Sequence, residues 1–209
     1  MSRRKEDEIY VDNPLSIDSR LIIFTFVLVV SLMLSLTACS GGNSNGLHVK
    51  SPATGEKDIP VKSGYAFAVT KSFTDLAGKI TTAASYRVYA ANYDLDPKNF
   101  AMTMDKPLTP DDQMRIVFSL VGDEGGNDKS PLKVGTYSAG ADKFMKVEYV
   151  AIVTRKGGAD NKVELERSTL SGDVKVNSVS AEEMTCELNL TSGDSAIKGS
   201  FTAKILTRK

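Results

Sequence analysis

The apolar positions divide the chain into one unbroken run and a long region that alternates. Leu21 to Ala38 is a stretch without a single charge. As a helix it would span about 27 Å at about 1.5 Å per residue, just short of a hydrocarbon core. From Tyr65 onward the period is two. Tyr65, Phe67 and Val69 alternate with Ala66 and Ala68, and Tyr86, Val88 and Ala90 alternate with Arg87, Tyr89 and Ala91. Phe100, Met102 and Met104 form a short third run, and Met114, Ile116, Phe118 and Leu120 a longer fourth. Met145, Val147, Tyr149, Ala151 and Val153 share a face, while Val150 and Ile152 make the far end apolar on both sides, which marks a central strand. Val163 with Leu165, Val174 with Val176, Met184 to Leu190 and Ile197 to Ile205 continue the alternation to the end.

Turn formers punctuate these runs at Gly157-Gly158, Asp160-Asn161, Gly172-Asp173 and Ser192-Gly193-Asp194. Ser72 to Lys79 and Thr109 to Asp112 each leave room for a short helix, one turn at most in the second case. The pattern predicts an all-β fold, an antiparallel β-sandwich or barrel, preceded by an N-terminal signal or anchor helix. The expected divisions are 1–38 for the signal or anchor, 39–63 for a flexible linker, and 64–209 for the β domain.

The apolar run admits two readings, an uncleaved anchor or a secretory signal that is cut after insertion. Its exit, Leu36-Thr37-Ala38-Cys39, resembles the bacterial lipobox. The resemblance covers about the first 45 residues. It implies a diacylglyceryl group on the Cys39 thiol and cleavage between Ala38 and Cys39, so that Cys39 becomes the acylated first residue. Several acyl chains on one residue hold far more firmly than one, at about 0.8 kcal/mol per buried methylene. Ser40 to Gly46 then offers nothing apolar to bury and reads as a tether. A serine directly after the acylated cysteine implies, by the same resemblance, sorting to the outer membrane rather than the inner. The region before the run is unusually acidic for such a signal. Arg20 nevertheless abuts the apolar run and keeps the N-terminus inside. On either reading the β domain lies outside the cytoplasmic membrane, with the lipid bilayer as its one partner expected from sequence.

Composition removes several functions. There are 26 basic and 26 acidic residues, with no basic stripe, so nothing draws the chain to nucleic acid. One histidine and two cysteines supply neither a zinc site nor a disulfide framework. The strings "LKVGTY", "GDVKV" and "IKGSFTAKI" resemble the β-rich domains of uncharacterised bacterial lipoproteins, a likeness over the last 80 or so residues that supports the fold class and implies no activity.

Candidate chemistry is sparse, and no catalytic, metal or cofactor site is expected. His48 reads as a solvated linker residue, badly placed for a triad. Cys186 falls on the apolar side of an alternating strand and reads as a small buried hydrophobe. Asp94 and Asp96 come nearest to a calcium loop, without the spacing of one. Tyr86, Tyr89 and Tyr93 form the aromatic cluster. Tyr89, Tyr93 and Arg87 share one face, which would bind a glycan or an envelope protein if open and is packing if covered; packing is favoured. The expected function is a membrane-tethered, non-catalytic binding or structural protein of the cell envelope. The alternative is a tethered hydrolase of envelope polysaccharide or peptidoglycan, using two carboxylates in a cleft.

Overall fold

A computed structural model describes residues 45–98 and 100–207. The lipobox, Cys39 and the apolar run lie outside those residues. Among the described residues eleven strands form one sheet. In chain order they are β1 (Gly46–Ser51), β2 (Gly55–Pro60), β3 (Ser63–Thr74), β4 (Ile80–Ala91), β5 (Met114–Glu124), β6 (Gly135–Ser138), β7 (Lys146–Lys156), β8 (Ala159–Glu164), β9 (Ser171–Val179), β10 (Glu183–Ser192) and β11 (Ser195–Leu206). A single helical turn, α1 (Phe100–Thr103), lies between β4 and β5. Among the described residues no helix is long and apolar enough to cross a membrane.

The neighbours run β10-β9-β6-β7-β5-β4-β3-β11-β1-β2, with β8 added on β7. Strand β10 also pairs β11 over its whole length, from Glu183 opposite Lys204 to Ser192 opposite Ser195. Eight strands are therefore joined in a closed circuit of hydrogen-bonded pairs, and β1–β2 is a hairpin attached outside it. The sheet is mixed rather than antiparallel. β11 runs parallel to β3 at Lys204–Leu206, and β6 touches β7 in parallel at Ser138. Alternation fixes which residues face inward but carries no sign of strand direction.

Inward residues make the main core. Phe118 on β5 meets Phe201 on β11 edge to face, with centroids 6.2 Å apart, although β4 and β3 separate their strands along the sheet. Such a contact requires the sheet to curl on itself. In β7 a register shift leaves Glu148 as the extra residue between Val147, opposite Leu120, and Tyr149, opposite Ser119. The bulge puts Val147, Val150 and Ile152 in the same core, whereas strict alternation from Met145 separates Val147 from the other two. A second core lies on the outer face of β3, β4 and β5, where Phe67, Tyr89 and Val117 pack with Leu95 and Met104 of the 92–113 segment.

Four expectations are corrected. The stretch through residue 63 is not all linker: Leu47 and Val49 on β1, with Ile59 on β2, are buried in the main core. The Phe100, Met102, Met104 run is a helical turn and its exit, with Met104 buried and Met102 exposed. Three alternating residues are too few to separate a period of two from one of 3.6. Ser72–Thr74 continues β3, because these residues pair with Thr82, Thr81 and Ile80. The turns at Gly157-Gly158 and Gly193-Asp194 form as expected. Both central residues of the first have positive φ (61° and 82°), the geometry a two-residue hairpin favours. Asp160 and Asn161 belong to β8 instead.

Candidate functional site

The arginine–tyrosine face arises because odd-numbered residues of β4 point away from the main core. Arg87 lies between Phe67 of β3 and Ser119 of β5 in register. Its guanidinium carbon sits 5.7 Å from the Tyr89 ring centre and 5.8 Å from that of Tyr149, between two aromatic π-clouds. Asp105, from the 92–113 segment, approaches Arg87 at 3.6 Å and accepts a 3.2 Å hydrogen bond from the Tyr89 hydroxyl. Tyr89 is 1% exposed, packed against Phe67. Burial first, and Asp105 second, push its phenol pKa well up. Tyr93 lies beyond the end of β4, in the loop, so it does not extend the strand face. Its hydroxyl accepts a 3.1 Å hydrogen bond from Arg115, which also donates to the Lys106 carbonyl at 3.0 Å. Burial raises the Tyr93 pKa as well.

The 92–113 segment is thus a roof pinned from below. Arg155 donates to the Leu108 carbonyl, Asp160 accepts from the Leu108 amide, and Asp111 accepts from the amides of Gly157 and Gly158. A buried arginine is stable here because it satisfies carbonyls the roof would otherwise bury unpaired. Of the three residues expected to form a ligand face, Tyr89 is covered and Tyr93 is in the roof. Arg87 keeps an accessible edge beside Tyr149, whose ring also carries Lys162 at 5.4 Å.

The second feature is a cleft of about 350 Å³ at one end of the circuit. It exists because β11 pairs β3 only as far as Leu206 opposite Phe67, while β3 continues to Thr74. The 128–132 loop fills part of the notch. Thr70 and Asp128 exchange hydrogen bonds at 3.0 and 3.2 Å, and the Tyr86 hydroxyl donates to the Ser130 carbonyl. Ala68, Leu132, Val179 and Ile205 give the cleft an apolar floor, and Asp128 and Lys129 are its charged residues. Nearby, Tyr137 donates to the Lys133 carbonyl at 3.1 Å, and burial pushes its pKa up to about 12. The cleft can enclose an apolar group, but its lining brings no nucleophile next to a base.

His48 is not a linker residue. It sits on β1 directly opposite Asp58 of β2. Nδ1 is 2.7 Å from Asp58 Oδ1 and Nε2 is 2.9 Å from Glu56 Oε1. Carboxylates only accept, so both contacts require the imidazolium. Those bonds, Asp58 foremost, raise the His48 pKa above its ordinary 6.5. Alternation of Leu47 and Val49 with His48 and Lys50, followed by a Ser-Pro-Ala-Thr-Gly turn, was the signal in the sequence for this hairpin.

Asp94 pairs with Lys62 at 2.8 Å, and Asp96 accepts the Lys98 amide at 2.9 Å. Cys186 is a free, fully buried thiol whose pKa burial raises strongly. Among the described residues no three His, Cys, Asp or Glu side chains gather as metal ligands would. No family model, no curated protein and no solved structure matches the chain.

Proposed function

We propose that this protein is a bacterial lipoprotein: acyl chains on Cys39 hold it to the envelope membrane, and its β domain works as a non-catalytic binding or structural module. The observation that carries this reading is the position of Leu36-Thr37-Ala38-Cys39, at the exit of an apolar run and the entry of a glycine-, serine- and asparagine-rich stretch. The β domain fits the reading, since β1 begins at Gly46, the last residue of that stretch. Ser40 favours the outer membrane as the destination. The closed circuit of eight paired strands favours a flattened barrel as the finer form of the sheet. A non-catalytic role is favoured because the cleft brings no nucleophile next to a base, and the tyrosine hydroxyls of the cleft and the roof are already engaged, Tyr86 by the Ser130 carbonyl, Tyr89 by Asp105 and Tyr93 by Arg115.

Mass spectrometry of the mature N-terminus, with Cys39→Ser beside it, tests the anchor. Lipidation predicts an acylated residue 39 as the first residue, and a serine variant that is neither processed nor acylated. An intact Met1 end with an unmodified Cys39 thiol, or a serine variant processed like the parent, refutes it.

A further inference from the structure

We infer that the tip of the β3–β4 hairpin is a second membrane contact, which dips into the headgroup region of the bilayer to which the chain is tethered. The inference rests on the lipoprotein reading for its partner, and on geometry for the contact itself.

The hairpin outruns the sheet that carries it. β4 meets β5 only from Ala83, opposite Glu124, and β3 meets β11 only up to Phe67. Beyond Lys71 the two strands have only each other as sheet partners, with Ser72, Phe73 and Thr74 opposite Thr82, Thr81 and Ile80, and the last outside backbone bond is from the Gly125 amide to the Thr82 carbonyl at 2.7 Å. A bare two-stranded ribbon is marginal in water, and this one is braced. The Asp75 carboxylate accepts the amides of Ala77 and Lys79 at 2.9 and 2.8 Å. The Asp75 amide donates to the Lys79 carbonyl and the Gly78 amide to the Asp75 carbonyl. At the base of the arm Lys71 pairs with Glu148, and near its end Phe73 meets Phe144 edge to face.

What this bracing holds out is apolar. Leu76 is 110% exposed and Ile80 66%, two of the four large apolar side chains that stand exposed among the described residues. Ala77 lies between them. Lys79, beside them, has no ion-pair partner among the described residues. The Asp75 carboxylate is occupied by backbone amides. An apolar tip whose lysine is free of an ion pair, with the Asp75 carboxylate turned onto the tip's own amides, fits the boundary between acyl chains and headgroups. Two aliphatic side chains are too little to hold a free protein on a bilayer. On a tethered chain the second contact is intramolecular, so a weak one is populated.

The contact also fixes an orientation. The tip lies eleven residues along β3 from Ser63, about 36 Å at about 3.3 Å per residue, and β3 starts beside the chain entry, where Val61 donates to the Asn45 carbonyl. Residues 39–44 reach at most about 20 Å when extended. Tip and anchor meet one bilayer only if β3 lies along the membrane rather than standing up from it.

The test uses the full chain reconstituted in phosphatidylcholine vesicles with a minority of phosphatidylglycerol. A fluorophore is placed on Ala77→Cys or, as reference, on Asp194→Cys at the β10–β11 turn, and spin-labelled lipid is the quencher. Buried Cys186 stays unlabelled. The expected result is quenching several-fold stronger at 77 than at 194, falling to the reference level when Leu76 and Ile80 are both changed to Asp. Equal quenching at 77 and 194, or strong quenching at 77 that survives those changes, overturns the tip contact. The mass of residue 39 in the same sample reports the tether separately. An unmodified Cys39 sinks the lipid anchor, and because that thiol would itself take the dye the tip is then judged in a Cys39→Ser background, where quenching at 77 above that at 194 leaves the tip contact standing and equal quenching overturns it.

Discussion

Gly199→Ala separates a glycine needed for its backbone angle from one needed for space. Gly199 lies in the middle of β11, opposite Leu47 of β1 and Leu188 of β10, at φ +124°. A Cβ there would meet the Gly46 carbonyl oxygen at 2.4 Å and the Leu47 Cα at 3.1 Å, both backbone atoms that cannot rotate away. The positive φ costs an L residue about 1–2 kcal/mol. The remaining relief is for β1 to back off β11, which loosens Leu47 and Val49, now 2% and 0% exposed. Full burial of one such side chain is worth about 1.5–3 kcal/mol, so losing part of two brings the total to about 3–5 kcal/mol. Gly193→Ala is the control. It has φ +55° but nothing within 4 Å of the added carbon, and should cost about 1 kcal/mol. Urea unfolding of the two variants, followed by tyrosine fluorescence or circular dichroism, measures the difference. For a domain of this size about 1 kcal/mol moves the melting temperature by about 2–4 °C, so Gly199→Ala should melt clearly below Gly193→Ala. Equal losses would refute the reasoning, because the close approach of β1 to β11 would then be soft.

His48 gives a pH dependence with a definite sign. Its pKa is raised in the folded state, so the stabilisation is full below about 6.5, its unfolded value, and fades as pH rises through the folded value. Urea midpoints of the parent should therefore fall toward those of His48→Gln as pH rises through that window; parallel curves would contradict the imidazolium bridge. Tyr86→Phe removes the hydroxyl that holds the Ser130 carbonyl and should destabilise by about 1 kcal/mol. It should also speed amide exchange in the 128–132 loop, and unchanged exchange there would show that Thr70 and Asp128 hold the loop alone.

The sequence by itself determined most strands, because period-two alternation is a local record of which side chains face a core. Met184, Cys186, Leu188 and Leu190 read inward from sequence, and all four are buried. The hairpin turns at Gly157-Gly158 and Gly193-Asp194 were equally local, since the positive φ at Gly157, Gly158 and Gly193 favours glycine there. The tertiary structure alone decided strand neighbours and direction. Residues paired across β3 and β11, such as Tyr65 and Lys204, are far apart in the chain, and each strand's alternation is the same whichever partner it takes. It also decided the face that Tyr89 and Arg87 occupy. Whether that face met solvent depended on the 92–113 roof, whose pins Arg115 and Arg155 look like ordinary charged residues until their carbonyl partners are in place. His48 shows the same limit. A lone histidine beside a glycine-rich tether carries no sign of two carboxylates until the β1–β2 register sets Asp58 opposite it and Glu56 within reach.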